Sequence, residues 1–215
     1  MPKSAKRKKE ADDKTRRRIM AYAGRVFAER GFRKVSVEEL CAGMAISKRT
    51  FYAYFADRDE LVTAIMFELF APLRESIFEN LASDQPVGAI LRTHFELLIN
   101  QFFQRVSLQF MTDIQNLMPD LWNTIDTFRR QIAVVITALL QRGQREGGVR
   151  ADIDPEVFGR VFQGILQSFA NPNLVASLGL SLPQVATTFQ QIVMGGLLTP
   201  SAREQGHEKT KKVRR

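Results

Sequence analysis

A chain of 215 residues with 45% hydrophobic and 25% charged residues has the composition of an ordinary globular protein and can bury one large core or two smaller ones. No apolar run reaches the roughly 18 residues of a membrane-spanning helix, and no apolar stretch follows the basic N-terminus as in a secretory signal. The single cysteine, Cys41, excludes an intramolecular disulfide and a cysteine-based zinc site. We therefore expect a protein that makes no membrane contact and stays in the cytoplasm.

The net charge of +8 is unevenly distributed along the chain. Residues 1–58 carry a net charge of +9, residues 59–200 of −5 and residues 201–215 of +4. Solvated tails would explain the basic ends, but not Lys48, Arg49 and Arg58, which lie inside patterned sequence. This asymmetry indicates a polyanionic partner for the N-terminal part.

Apolar residues recur at intervals of three and four throughout, which predicts an all-α fold without strands. Residues 1–10 are predicted to be a basic, disordered arm because they offer no apolar surface to bury. Whether this arm reaches the DNA backbone or minor groove, or is a solubilising tail, stays open. The first helix is predicted from Asp12 to Arg30, with Gly31 ending it.

Three capping signals follow in close succession. Ser36 to Glu39 form a capping box that starts a helix at Val37, and this helix ends near Gly43. After a turn over residues 44–46, Ser47 caps a second short helix over residues 48–54. A third cap, at residues 57–60, opens a long helix over residues 58–82, in which Pro72 predicts a kink.

Two short helices joined by a short turn form a helix-turn-helix, whose second helix enters the DNA major groove. The second helix here places Lys48, Arg49 and Tyr52 in one sector and Phe51 and Phe55 in another. The first sector is therefore predicted to face DNA and the second to face the core. Core packing is the alternative for Tyr52, but Phe51 already fills that place.

Residues 19–65 resemble the DNA-binding domain of the TetR family of bacterial regulators, on the segments Ser36–Leu40, Ala45–Phe55 and Asp57–Leu61 together with Phe27, Gly31 and Phe32. The resemblance implies phosphate contacts by Ser36, Tyr52, Tyr54 and Arg58, and positions near base edges for Lys48, Arg49 and Thr50. With the capping Ser47, these residues are the candidate DNA-binding set.

Two positions depart from the family's usual pattern. Ala45 stands where a glycine is usual, and Arg49 where a glycine is frequent. A positive φ at Ala45 would cost about 1 kcal/mol. The Arg49 fork can bind O6 and N7 of guanine, or a phosphate, and both readings stay open.

Further helices are predicted at residues 86–105, 107–117, 119–146, 154–170 and 182–198. The predicted domains are a DNA-binding domain at 11–58, linked by the helix 58–82 to an effector-binding and dimerisation domain at 59–200, and a basic tail at 201–215. Beyond residue 83 the resemblance is one of architecture, and it implies that the last two long helices pair with their copies in a homodimer. The residues predicted for this interface are Val157, Val161, Ile165, Phe169, Val185, Phe189, Ile192 and Val193.

The central helices combine large apolar side chains with a few polar ones, which is typical of a small-molecule site. The candidate effector-binding residues are His94, Phe102, Phe110, Asp113, Trp122, Asp126 and Gln163. His94 lacks a second histidine or cysteine within its domain, so no metal site and no cofactor are expected.

The resemblance and the motif together predict a homodimeric regulator that binds a palindromic operator on double-stranded DNA. It is expected to act as a repressor that a small hydrophobic effector releases. The alternative is a DNA-binding repressor or activator without a small-molecule effector. An enzyme is not expected, because the sequence has no G-x-S-x-G elbow and no glycine-rich phosphate loop.

Overall fold

A computed structural model describes residues 3–169 and 171–202, without the side chains of residues 3–10, 79, 80, 169 and 172. The regular structure of these residues is helical, with one isolated antiparallel bridge between Val149 and Leu198. The all-α prediction is therefore confirmed. The helices are α1 Lys3–Arg30, α2 Val37–Met44, α3 Lys48–Tyr52, α4 Arg58–Leu81, α5 Val87–Leu97, a π-helical segment Leu98–Phe102, α6 Leu108–Leu117, α7 Pro119–Arg145, α8 Pro155–Phe169, α9 Pro172–Ser177 and α10 Leu182–Leu197.

Helix α1 begins at Lys3, well before the predicted start at Asp12. Most of the basic arm that was expected to be disordered is therefore helical. Residues 3–11 include no glycine or proline and are mostly good helix formers. Extending a helix that is already anchored by its buried C-terminal half costs far less than nucleating one. The basic tail, from residue 203 onward, lies outside the described residues.

The single helix predicted over residues 86–105 is divided. After α5, the amide N of Phe103 donates to the carbonyl of Leu98 at 3.0 Å, a bond that spans five residues and marks the wider π-helical turn. This segment buries Phe102, whose ring centroid lies 5.0 Å from that of Phe70. The six-residue α9, capped by Asn171, was missed because it is too short to show a periodicity.

The helices enclose two hydrophobic clusters. The first, here called the N-terminal core, runs from Ile19 to Ile125 and includes side chains of α1 to α4, α6 and the start of α7. The second, the C-terminal core, joins the end of α4 to α5, α7, α8 and α10. The predicted boundary at residue 58 therefore does not separate two cores, because α4 and α6 complete the core of the helix-turn-helix.

Three phenylalanines hold α1 and α6 together. The ring centroid of Phe110 lies 5.8 Å from that of Phe27 and 5.9 Å from that of Phe32, and all three side chains are fully buried. Offset and edge-to-face ring pairs at this distance add about 1 kcal/mol each to the free energy of burial. Phe110 is thus part of the packing between α1 and α6, which makes it unavailable to an effector.

Asp113 on α6 is a buried carboxylate that binds the loop after α1. Its Oδ2 accepts hydrogen bonds from the amides of Phe32 at 2.8 Å and Arg33 at 2.9 Å, and its Oδ1 accepts from Gln109 at 2.8 Å. Gly31 has a φ of +75°, and a Cβ there would lie 2.3 Å from Oδ2. The prediction that Asp113 contacts an effector is therefore wrong, because backbone amides occupy its carboxylate.

The C-terminal core depends on the close packing of α7 and α8. A Cβ on Gly159 would lie 2.0 Å from Oγ1 of Thr137, so a glycine is needed for the two helices to approach this closely. On the opposite side of this core, the Phe189 ring of α10 packs between those of Phe95 and Phe162. Helix α10 is thereby fixed to its own subunit.

The residues predicted for the dimer interface divide into two groups. Val157, Val161 and Ile192 are exposed apolar side chains, and Ile165 and Val185 are half-buried. Val193 is buried in the C-terminal core and Phe189 packs within it, so both serve the fold of one subunit. This follows from their place on the side of α10 that faces α5. The side chain of Phe169 lies outside the described residues.

None of the helices within residues 3–169 and 171–202 combines the length and apolar character that crossing a bilayer requires.

Replacing Asp113 by alanine should lower the free energy of unfolding by about 3 kcal/mol, because two backbone amides lose a charged acceptor. Asp113→Asn keeps one acceptor oxygen and should lose less. Urea unfolding followed by circular dichroism measures both values. The exposed carboxylate variant Glu68→Ala is the control and should change the stability by less than about 0.5 kcal/mol. A loss no larger than this control's for Asp113→Ala would contradict the assignment.

Because His94 is buried, we expect the free energy of unfolding to fall in acid. Burial lowers the pKa of this histidine from 6.5 to about 4, and its Nδ1 lies 3.0 Å from the Ser76 hydroxyl. Between these two pH values the unfolded chain binds the proton more tightly, so stability should fall as the pH drops from 6.5 to 4, by up to about 3 kcal/mol. His94→Asn should remove this part of the pH dependence in urea unfolding. The variant retains His207, the other histidine of the chain. If its stability depended on pH as that of the unchanged protein does, the prediction would be refuted.

Candidate DNA interface and ligand groove

Helix α2 begins at a capped residue, as predicted. The Ser36 hydroxyl accepts from the amide of Glu39 at 3.1 Å. The Glu39 carboxylate is hydrogen-bonded to Arg30 of α1, so this side chain ties α2 to α1 instead of completing the capping box. Buried Leu40, Cys41 and Met44 then fix α2 to the N-terminal core.

The turn between α2 and α3 requires a left-handed residue. Ala45 has φ 53° and ψ 45°; its amide donates to Ala42, and the amide of Ile46 donates to Cys41. These two bonds form a Schellman motif, in which glycine is the usual left-handed residue. The expected strain of about 1 kcal/mol therefore falls on Ala45.

Helix α3 is held by its cap and by two buried rings. The Ser47 hydroxyl accepts from the amide of Thr50 at 3.0 Å and lies 2.9 Å from the Thr50 hydroxyl. Phe51 and Phe55 are buried, while Tyr52 is 51% exposed and stacks edge-on against Phe51. The structure therefore places Tyr52 outside the core, on the same side as the two cations of α3.

The cations of α3 differ in their partners. Lys48 forms an ion pair with Glu38 of α2, and this hydrogen bond lowers the pKa of Glu38 and raises that of Lys48. Arg49 is exposed, and no ion pair or hydrogen bond of its guanidinium occurs among the described side chains. Tyr54 donates its hydroxyl to Asp12 of α1 at 3.2 Å. Of the two cations, Arg49 can therefore meet DNA without first leaving a partner.

Arg58 has a role that the sequence did not reveal. Its guanidinium donates to the carbonyls of Phe32, Arg33 and Val35 at 3.1 to 3.3 Å, and it stacks over the Phe32 ring. The side chain is 29% exposed. Arg58 therefore holds the loop between α1 and α2 through one guanidinium nitrogen, and its contact with phosphate stays a prediction.

The candidate effector residues do not converge on one site. Asp113 and Phe110 lie between α1 and α6, and His94 is buried beside Ser76. The other four are held separately: Asp126 is paired with Arg130, Trp122 stacks on Arg129, Phe102 packs on Phe70, and Gln163 lies at a shallow depression between α7 and α8. Residue type alone could not distinguish these core side chains from those lining a site.

A groove between α4 and α7, which we call the ligand groove, has the properties expected of a small-molecule site. Its volume is about 630 Å³, within the usual range for ligand sites. The lining residues are Phe67, Phe70, Ala71, Arg74, Leu121, Asn123, Thr124, Ile125, Thr127, Phe128 and Gln131.

The ligand groove was not predicted from the sequence. Phe67, Phe70, Ala71 and Arg74 are spaced at i, i+3, i+4 and i+7, and so form a second stripe on α4. The first stripe, of Leu61, Ile65 and Leu73, is buried in the N-terminal core. The phenylalanine at position 67, which lies outside that stripe, was the signal available in the sequence.

No cluster of three or more potential metal ligands occurs among the described side chains.

The family described as bacterial regulatory proteins of the tetR family matches residues 19–65. The chain is 23% identical to an uncharacterized HTH-type transcriptional regulator, YvaF of Bacillus subtilis, over 84% of this chain and 94% of that protein. It is 22% identical to the HTH-type transcriptional repressor KstR2 of Rhodococcus jostii, over 86% and 92% of the two chains. The crystal structure of reduced E. coli NemR has the same fold, with a TM-score of 0.64 at 18% identity over 87% of this chain and 98% of that one.

The matched segment contains α2, α3 and the caps described above, and the similarity of these relatives and structures extends over both cores. Residues 19–65 therefore belong to the tetR family of bacterial regulatory proteins, and the chain as a whole is similar to HTH-type transcriptional regulators.

Proposed function

We propose that the protein is a homodimeric repressor that binds a palindromic operator through α3 and releases it when a small molecule occupies the ligand groove. One observation carries the DNA part of this proposal. Arg49 and Tyr52 are exposed on a helix whose orientation is fixed by the Ser47 cap and by buried Phe51 and Phe55. A rigid helix with outward donors is what major-groove recognition requires.

The proposed DNA contacts fall into two classes. Lys48, Arg49 and Thr50, at the N-terminal end of α3, would approach base edges. Ser36, Ser47, Tyr52 and Tyr54 would contact phosphates, which fix the register without reading sequence. To bind DNA, Lys48 would have to break its ion pair with Glu38, and Tyr54 would have to break its hydrogen bond with Asp12.

Dimerisation is proposed through α8 and α10. Their exposed apolar side chains, Val157, Val161 and Ile192, would be buried against the same helices of a second copy. Half-sites one helical turn apart then require the two copies of α3 to lie about 34 Å apart. Repression as the mode of action is supported by the similarity to KstR2, a transcriptional repressor.

The effector is proposed to act through α4. This helix carries Phe67, Phe70 and Arg74 of the ligand groove, and its first residue, Arg58, binds the loop before α2. A shift of α4 on ligand binding would therefore move the helix-turn-helix and change the spacing of the two α3 helices. The competing function, a DNA-binding regulator without an effector, predicts DNA affinity that no ligand of the groove changes.

The substitution Arg49→Ala tests sequence reading. If Arg49 binds a guanine edge, operator affinity should fall by about tenfold or more while affinity for unrelated DNA changes little. The operator is first selected from random DNA, and both affinities are measured by fluorescence anisotropy. Arg145→Ala, an exposed arginine at the end of α7, is the matched control and should alter neither. An equal loss on both DNAs would assign Arg49 to phosphate binding.

The affinity for the operator should also depend steeply on salt. If the dimer contacts six or more phosphates, its affinity should fall by about a thousandfold or more between 50 and 200 mM salt. The same anisotropy titration at several salt concentrations gives the slope. A flat response would contradict DNA binding by this surface.

A further inference from the structure

The ligand groove contains one charged side chain, Arg74, among its described lining residues. Three phenylalanines, Phe67, Phe70 and Phe128, together with Leu121 and Ile125, supply its apolar surface. Its remaining polar groups are neutral amides and hydroxyls. The electrostatic character of the groove is therefore set by one guanidinium.

Arg74 on α4 and Gln131 on α7 lie at the same level along the two helices. Helices α4 and α7 run in the same direction, because Phe70 meets Phe128 at a ring distance of 5.1 Å and Arg142 donates to the carbonyl of Leu81 further along. Arg74 follows Phe70 by four residues and Gln131 follows Phe128 by three, which is about one helical turn in each case. Both donors therefore lie at the same end of the groove.

No ion pair involving Arg74 occurs among the described side chains. The carboxylate of Asp126, on the same stretch of α7, is bound to Arg130. Glu146, near the end of α7, is bound to Arg142. Among the described side chains, no carboxylate is therefore bound to the positive charge at this end of the groove.

We propose that the groove binds an amphipathic anion, with its carboxylate at Arg74 and Gln131 and its apolar body along the phenylalanines. The inference rests on the proposed function of the groove as the effector site and specifies the class of ligand. From Gln131 back to Leu121 the groove follows about 15 Å of α7, so an extended chain of roughly ten carbons fits along it.

The physical reason for the selectivity lies in the geometry of a guanidinium. An arginine can donate two parallel hydrogen bonds to one carboxylate, and such charge-assisted bonds are about twice as strong as neutral ones. An alcohol with the same apolar body makes the same contacts with the rings but cannot accept these two parallel hydrogen bonds. A cationic ligand would be repelled by Arg74.

The test compares decanoate with 1-decanol, which share an apolar body and differ in charge. Affinities are measured by isothermal titration calorimetry on the full-length protein, below the concentration at which decanoate forms micelles. Decanoate should bind about tenfold or more tightly than decanol. Fluorescence of the sole tryptophan, Trp122, which adjoins the groove residues Leu121 and Asn123 on α7, gives an independent readout.

Arg74→Gln should remove the preference by weakening decanoate about tenfold or more, with decanol affinity unchanged. Arg74→Lys keeps the charge but lacks the two parallel donors of the guanidinium, and should retain part of the preference for decanoate. Arg145→Gln, the matched control at the exposed end of α7, should retain all of it. Ala71→Trp, which fills the groove, should abolish binding of both probes, and Thr124→Trp replaces it if that variant is unfolded by circular dichroism.

Three results would overturn the proposal. Equal affinity for both probes, lost together in Ala71→Trp, would leave the groove as a ligand site but make its ligand neutral. Decanoate binding that Arg74→Gln leaves unchanged would place the anion elsewhere. Absence of binding by both probes would also refute it. Failure of the proposed function is separate, because it would appear as operator affinity that stays constant when decanoate saturates the protein.

Discussion

The loop from Gly31 to Val35 is held from two sides, and the orientation of the helix-turn-helix depends on it. Asp113 of α6 accepts from its amides, while Arg58 of α4 donates to its carbonyls. Both side chains bind backbone atoms, so changes to the exposed side chains of Arg33 and Lys34 need not break the contact. Hydrogen bonds of this kind are among the stronger contributions to stability, because leaving a buried amide or carbonyl unpaired costs about 1 to 3 kcal/mol.

This constraint explains why the two parts of the chain share a core. The rings of Phe27, Phe32 and Phe110 close the space beside Asp113, so α6 packs directly against α1. We expect a displacement of α4 or α6 to be passed to the loop and from there to α2 and α3, because close-packed interiors transmit strain.

The proposed regulation uses the same connection. Helix α4 has Arg58 at its first residue and the aromatic stripe of the ligand groove two to four turns later. A ligand that wedges between α4 and α7 would act on the helix that also anchors the loop between α1 and α2. The coupling then needs no separate path, since one rigid element bears both sites.

The sequence by itself determined the all-α fold, the order of α2, turn and α3, and the caps at Ser36 and Ser47, because these depend on side chains within four residues of one another. Tertiary structure alone decided the roles of Arg58 and Asp113. The backbone amides that bind Asp113 lie 80 and 81 residues away, and no local sequence pattern records such a contact. The ligand groove was likewise hidden, because the residues that line it come from two helices and only their packing shows which phenylalanines remain uncovered.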